Sequence, residues 1–481
     1  MQMITVAIEN LKLLNPTQMD ASSRSECLPG TRQDILKFIT DWLTTPSENQ
    51  NVLWLHGLAG YGKSTISTTV AEYFRDLGRL GAFIFFDRND PTHSDPNAVI
   101  RTLAYRLGSF DTRIKLAVCA VVETDKSIAD APVRKQFAKL LLEPLQSLSG
   151  QFVNGPAIVV IDALDECGNP ISRKSLLALL SEELVNLPHM CRFITTNRAE
   201  SDITAAFSDQ INNLEKELSI STHSNENDIH SFLCKEMVTI RQRHKVFRLA
   251  SDWPGDSIIR DLTVRSAGLF IWASMAVNFI AQGYDPRDRL ETLLSANPYQ
   301  KPETALDILY ETALNAASKW NDETFVAHFN AVMSVVLAGQ IPISDEMIDT
   351  ILSVDGRRPS TFLLLHMRYL LLWSPGRPVR VLHASFADYL TDLQRCGTKP
   401  WIIDLSAANH TLAVACLKRM DVGLYFNVCR LESSYLSNTD VPDLPERISS
   451  AIPANLMYAY KFWAQHVRAA PQSSIILYKD Q

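Results

Sequence analysis

The residues Gly57, Leu58, Ala59, Gly60, Tyr61, Gly62, Lys63 and Ser64 match the pattern GxxxxGK[ST], between the apolar run Val52–His56 and a helical pattern that opens near Ser64. Each residue type in the run has its own chemistry. Glycines let successive backbone N–H groups wrap a phosphate, and the following helix points the positive end of its dipole at that phosphate. Lys63 neutralises phosphate oxygens, Ser64 ligates Mg²⁺, and Thr65 continues the same turn. Together they form a site for a nucleotide with Mg²⁺. The residues alone leave ATP and GTP both open.

Such a loop needs an acid at the end of a neighbouring strand, and Ile158–Asp162 supplies one, followed by Ala163, Leu164, Asp165 and Glu166. Asp162 is expected to hold Mg²⁺ through water. Asp165 and Glu166 sit just beyond the strand tip, where a carboxylate can polarise the attacking water or sense the γ-phosphate. The plainer alternative for both is a solvated acidic loop or a helix cap. A further apolar run, Cys191–Thr195, ends in Thr196, Asn197 and Arg198. That places a basic side chain on the carboxyl edge of the sheet, the edge where open α/β sheets bind ligands. Arg198 is thus a candidate γ-phosphate contact, with a surface salt bridge as the alternative. Arg88 poses the same choice.

The elements that must hold these residues follow from the spacing of apolar runs. Val52–His56, Gly81–Phe86, Ala157–Ile161 and Cys191–Thr195, with Leu214–Ile220 as a weaker candidate, alternate with helical patterns. This is the sequence form of a parallel α/β sheet buried on both faces. After about Asn225, helical patterns such as Asp228–Thr239, Gly268–Ala281 and Ala305–Ala317 take over, which marks a change of domain. A β signal returns where Leu370–Trp373 and Val379–His383 flank Ser374–Pro378, and helices followed by one hairpin predict a winged helix. Residues 396–481 read as helices and loops without a repeat period, and residues 1–26 as a short lead-in.

The 481 residues, 46% hydrophobic, suffice for a large core and for two to four domains. A net charge of -7 offers no global basic field, so neither nucleic acid nor an anionic membrane is an expected partner. The eight cysteines form no CxxC pair, which speaks for reduced thiols in a cytoplasmic protein rather than for zinc. The N-terminal stretch lacks the features of a secretory signal. Gly268–Ala281 and Phe362–Trp373, the most apolar later stretches, are too short to span a bilayer and read as buried core helices.

With these motifs in view, the chain resembles the NACHT branch of the signal-transduction ATPases with numerous domains, in particular fungal receptor-like and nephrocystin-like members. The resemblance runs from about Cys27 to Leu390. Cys27–Arg32 looks like the segment preceding the phosphate loop, Asp162–Glu166 like the acidic signature and Thr195–Arg198 like sensor 1. Gly268–Ala273 and Val381–Leu390 resemble the helical-domain and winged-helix signatures. The resemblance implies a nucleotide-binding domain at 27–222, a helical domain at 223–300, a winged-helix domain at 301–395 and a C-terminal helical segment at 396–481. It also implies adenine specificity, with Gly30, Thr31 and Arg32 framing the base and His383 reaching the β-phosphate of ADP. Read without the family, His383 is a core histidine. Phe270 stands where the related plant pattern has Pro. Family members usually carry an effector domain before this core and sensor repeats after it; here 26 residues precede Cys27 and no repeat follows His383.

The expected function is a slow Mg²⁺-dependent ATPase that acts as a switch in self/non-self recognition or defence. ADP holds it closed, and ATP opens a surface for homo-oligomerisation or for effector and sensor partners. The rivals are a motor ATPase that turns over continuously and a nucleotide-binding scaffold that no longer hydrolyses.

Overall fold

The computed structural model describes residues 11–19, 24–45, 50–57, 59–88, 90, 92–148, 152, 155–188, 190–198, 200–208, 213–218, 223–295, 302–316, 320–352, 358–433, 435–438 and 440–471. The chain divides into two compact units, Met1–Val277 with Pro298–Pro302, and Asn278–Asn297 with Glu303–Gln481.

The first unit is built on a parallel sheet of β1 (Val52–His56), β2 (Leu80–Phe85), β3 (Ala157–Asp162), β4 (Cys191–Asn197) and β5 (Asn213–Glu217), in the order β2-β3-β4-β1-β5. Helices α1 (Gln33–Thr44), α2 (Lys63–Asp76), α3 (Val99–Phe110), α4 (Thr112–Thr124), α5 (Lys174–Glu182) and α6 (Ser201–Phe207) belong to the same unit. Every residue of β1, β3 and β4 is buried, which is why their sequences run apolar without alternation. The weak fifth strand is real but shorter than expected, and Ser219 and Ile220 lie outside the described residues. As an edge strand, β5 tolerates Glu215, Lys216 and Glu217, whose charges discourage a further strand from pairing.

The acid-bearing strand β3 is not the neighbour of β1, because β4 lies between them. Alternating β and α patterns dictate that strands run parallel, but equally apolar runs carry no label for their lateral order. The pairings His56 with Asn197 and Ile161 with Thr195 nevertheless bring the three carboxyl ends level along one edge. Helices α7 (His223–Arg243), α8 (Asp256–Arg265) and α9 (Phe270–Ala281) follow the sheet, in line with the loss of β-like runs after Asn225. The start of α9 follows two residues with positive φ, Ala267 and Gly268, so the expected helix begins two residues late.

The second unit is mostly helical, with α10 (Pro286–Ser295), α11 (Pro302–Ala316), α12 (Glu323–Ala338), α13 (Asp345–Ile351) and α14 (Ser360–His366). Then come β6 (Leu371–Leu372) and β7 (Arg380–Val381), α15 (Ala384–Thr391), α16 (Leu405–Gly423), α17 (Leu444–Ala451) and α18 (Ala454–Ala469). The hairpin forms as expected but only two residues per strand, with Leu371 opposite Val381. The apolar stretch Phe362–Trp373 is not one buried helix. Helix α14 stops at His366 and buries Leu363 and Leu364 while Phe362 and Leu365 are about half exposed, and Leu370 to Leu372 serve the turn and β6. Hydropathy alone does not distinguish a helix followed by a strand from a single helix. No helix among the described residues is long and apolar enough to cross a membrane. None of the eight cysteines is joined in a disulfide.

Helices α16 and α18 are joined through His466, which is fully buried. Its Nδ1 lies 2.8 Å from Asn409 Oδ1 and its Nε2 2.8 Å from the Tyr458 hydroxyl, which also accepts the Gln340 N–H. A neutral ring donating from Nδ1 and accepting at Nε2 satisfies both contacts. Burial pushes the imidazole down to about 4. An unfolded histidine titrates near 6.5, so the unfolded chain binds the extra proton first as pH falls. The contribution of His466 to stability should be intact above about pH 6.5 and shrink by up to about 1.4 kcal/mol per pH unit toward pH 4. Urea midpoints of wild type and His466→Gln measured from pH 7.5 to 4.5 should therefore converge as the pH drops; parallel curves would contradict the assignment.

Candidate functional site

The glycine loop leaves the end of β1 and enters α2 at Lys63. Gly60 and Gly62 have φ of 84° and 81°, a left-handed geometry open to glycine without strain. At Gly60 a Cβ would also run into Ile271 Cγ2, because the first turn of α9 rests on the loop and the Ile271 N–H donates to the Gly60 carbonyl (3.3 Å). Tyr61 is buried, Ala59 and Thr65 are half-buried, and Leu58 lies outside the described residues. Lys63 is buried, and its ammonium donates to the carbonyl of Gly57 at the loop's own start (2.6 Å). Burial lowers its pKa to about 8; Asp165 opposes this shift and Arg198 adds to it.

Asp162 ends β3 with no solvent exposure. Its Oδ1 accepts hydrogen bonds from Ser67 (3.0 Å) and Thr196 (2.6 Å), while Oδ2 is paired with Arg24. Ser64, the expected metal ligand, is exposed in the first turn of α2, and it is Ser67, nearly one turn further on, that bonds to Asp162. Ala163 then takes φ 60° and ψ 45°, a conformation that costs an alanine roughly 1 kcal/mol or more. Its N–H donates to Thr196 Oγ1 (3.1 Å), and the reversal folds Leu164–Glu166 into a single 3-10 turn.

That turn aims the two remaining carboxylates at β4. Asp165 Oδ1 accepts the Arg198 N–H (3.0 Å), and its Oδ2 lies 3.2 Å from Arg198 Nε. Glu166 Oε1 is 4.0 Å from Arg198, and its Oε2 accepts the Arg88 N–H (3.4 Å). Burial raises the Glu166 carboxyl to about 7; Arg88 opposes the shift and Asp165 adds to it. Lys63, Asp162, Asp165, Glu166 and Arg198 thus act on one another electrostatically at one edge of the sheet. Arg198 is tied to Asp165 in a largely buried pair, which differs from an ordinary surface salt bridge.

Of the three residues expected to frame a base, Thr31 and Arg32 are held by contacts with the protein itself. Gly30 has φ 91° with open space around it, and Thr31 is buried, its hydroxyl donating to the Leu28 carbonyl (2.7 Å). Arg32 bridges elements. Its N–H donates to Asp228 on α7 (2.8 Å), its guanidinium to the Tyr61 carbonyl (2.7 Å), and it stacks over Phe270 at 4.6 Å. His383 belongs to the second unit, where it caps α15: its Nδ1 accepts the Ser385 N–H (3.2 Å).

Sequence reasoning missed Arg24, Ser67 and Arg173. Ser67 could have been suspected from its helical spacing, three residues beyond Ser64. The two arginines carry no motif. Arg173, fully buried just before α5, donates to Asp202 (2.8 and 2.9 Å), to Glu200 and to the carbonyl of Asp165 (2.8 Å). Burial works against its charge, but the hydrogen bonds it donates to Asp202 and Glu200 raise its pKa overall. It fixes the backbone of the acidic turn to the loop after β4. Arg173→Ala should lower stability by about 2–3 kcal/mol, less than for a fully enclosed pair because Glu200 and Asp202 keep contact with water. Chemical denaturation will show this, and a loss below about 0.5 kcal/mol, the size of an ordinary surface change, would remove the clamp from the account.

Against known proteins, residues 30–198 match the family model described as Nephrocystin 3, N-terminal. No curated protein matches the chain. Among solved structures, a signal transduction ATPase with numerous domains bearing a tetratricopeptide repeat sensor, from Pyrococcus horikoshii, is 13% identical with a TM-score of 0.48. That alignment covers 96% of this chain and 57% of the other, so this chain spans little more than half of that structure's length. Cdc6p from Pyrobaculum aerophilum is also 13% identical, with a TM-score of 0.33 over 82% of this chain and 98% of that one. The Drosophila origin recognition complex bound to DNA gives 13%, 0.34, 80% and 90%. Identities this low concern the fold alone. The segment carrying the glycine loop, the acidic turn and Arg198, residues 30–198, is thus similar to the nephrocystin 3 N-terminal family.

Proposed function

We propose that the chain is an ATP- and ADP-binding switch of the signal-transduction ATPase class, with slow Mg²⁺-dependent hydrolysis. The observation that carries this reading is the gathering of Lys63, Asp162, Asp165, Glu166 and Arg198 beside the Gly57–Ser64 loop. The division into a nucleotide-binding domain (27–222), helical domain (223–300), winged helix (301–395) and helical tail belongs to the same proposal. So do adenine as the base, contact between His383 and the β-phosphate, nucleotide-dependent self-assembly, a cytoplasmic location and a role in recognition or defence.

The donors available suit Mg²⁺. They are hard oxygens, the Asp162 carboxylate with the hydroxyls of Ser64 and Ser67, and Mg²⁺ commonly takes one or two carboxylates plus phosphate oxygens. No group of three or more His, Cys, Asp or Glu able to hold a metal occurs among the described residues. When bound, Mg²⁺ would neutralise phosphate charge. Lys63 leaves the Gly57 carbonyl for a phosphate oxygen, and the loop N–H groups hold the rest. Glu166, once deprotonated, accepts a proton from the attacking water, while Asp165 keeps Arg198 turned toward the same edge.

These roles separate in mutants. Lys63→Ala should weaken triphosphate binding by about 10- to 100-fold, whereas Glu166→Gln should bind normally and hydrolyse about 100-fold more slowly. Equal loss of binding in both would refute the division. Because Glu166 must be ionised to act as a base and its carboxyl sits at about 7, hydrolysis should fall as pH drops below 7. Single-turnover rates from pH 6 to 8.5 check the sign, and a flat profile would remove Glu166 as the base. The first experiment is to denature the purified chain and identify the released nucleotide by ion-pair chromatography. Stoichiometric ADP supports the switch. No nucleotide, together with no binding of added Mg²⁺-ATP, leaves a scaffold, and steady turnover in a stable ring indicates a motor.

A further inference from the structure

The residues ahead of the glycine loop reach its acid. Leu11 and Leu14 are buried in the core, the Thr17 N–H donates to Thr102 Oγ1 (3.0 Å), Arg106 donates to the Met19 carbonyl (3.3 Å), and the Cys27 N–H donates to Thr69 Oγ1 (2.8 Å). The strap anchored in this way brings Arg24 to Asp162, 138 positions later in the chain. The guanidinium stacks 4.5 Å from the ring centre of Phe85 and 5.6 Å from that of Phe83, and Nε lies 3.4 Å from Thr68 Oγ1. Two aromatic faces, a hydroxyl and a carboxylate thus hold one cation.

Both oxygens of Asp162 are engaged, Oδ1 by two neutral hydroxyls and Oδ2 by Arg24. A carboxylate without solvent exposure needs a positive partner, and Arg24 is that partner here. Any second cation drawn to Asp162 must either displace Arg24 or settle against its charge in a weakly screened environment, and both are unfavourable while the strap stays in place. Arg24 also lines a cavity of roughly 670 Å³ beside β2, whose lining includes Glu26 and Glu72, so space for a displaced guanidinium adjoins the site.

We propose that Arg24 is a tethered counter-cation of Asp162, and that a divalent metal entering with nucleotide must expel it, coupling occupation of the site to loosening of the strap around Cys27. This rests on Asp162 being the carboxylate that serves the metal-bound nucleotide.

The test uses the full chain and a fluorescent ADP, titrated with Mg²⁺ or in EDTA. Arg24→Gln should leave Mg²⁺-free affinity within about twofold of wild type and lower the half-saturating Mg²⁺ concentration by about tenfold, the effect of removing one nearby like charge. In wild type, hydrogen exchange in the peptide containing Cys27 should speed up by about tenfold with Mg²⁺-ADP and not with ADP in EDTA, because only displacement exposes that amide. Nucleotide binding with an unchanged Mg²⁺ requirement in the variant and unchanged exchange in wild type would overturn the proposal while leaving the site reading intact. Failure of both proteins to bind nucleotide at any Mg²⁺ concentration would overturn both. Should Arg24→Gln not fold, the wild-type exchange result decides alone.

Discussion

Charge buried at the carboxyl edge of a parallel sheet is the constraint that the rest of the first unit serves. Strands covered on both faces end abruptly in Asp162 and Asn197, and the first residue of α2 adds a buried lysine. Removing such groups from water is costly unless each has a partner of opposite charge or a full set of hydrogen bonds. The partners come from far apart in the chain: Arg24 for Asp162, Arg198 for Asp165, Arg173 for Glu200 and Asp202. The edge is therefore a small lattice of mutually dependent charges.

That dependence explains the local irregularities. The left-handed Ala163 is strained, yet it turns Asp165 toward β4, and Arg173 and Thr196 both hold the turn by hydrogen bonds. Glu166 lies where burial keeps its carboxyl near neutrality, a property useful to a base and expensive for a merely structural residue. Lys63 bonds to its own loop, a polar contact that a phosphate can replace without leaving the ammonium unpaired.

The loop is also packed from the side of the helices that follow the sheet. Ile271 donates to Gly60, and Arg32 connects Tyr61, Asp228 and Phe270. A change in the loop is thus felt at α7 and at the start of α9, elements that contribute no residue to the acidic turn. Such a chain of contacts is what a nucleotide-responsive protein requires, since a bound ligand shifts a conformation only through contacts that differ between states.

By itself the sequence determined most of the elements and singled out residues that the fold gathers at one sheet edge. Continuous apolar runs specify buried strands, and the glycine spacing, Asp162–Glu166 and Arg198 stood out because the residue types a phosphate site would need are restricted within a few positions. The order of the strands, the place of Arg24 and Arg173, and the use of Ser67 beside Asp162 were decided only by the tertiary structure. Lateral pairing among equally apolar strands, and the pairing of a buried charge with an arginine over a hundred residues away, depend on packing and desolvation across space. Neither leaves a local pattern. The same holds for Phe362–Trp373, where one apolar stretch divides into helix, turn and strand according to which neighbours cover it.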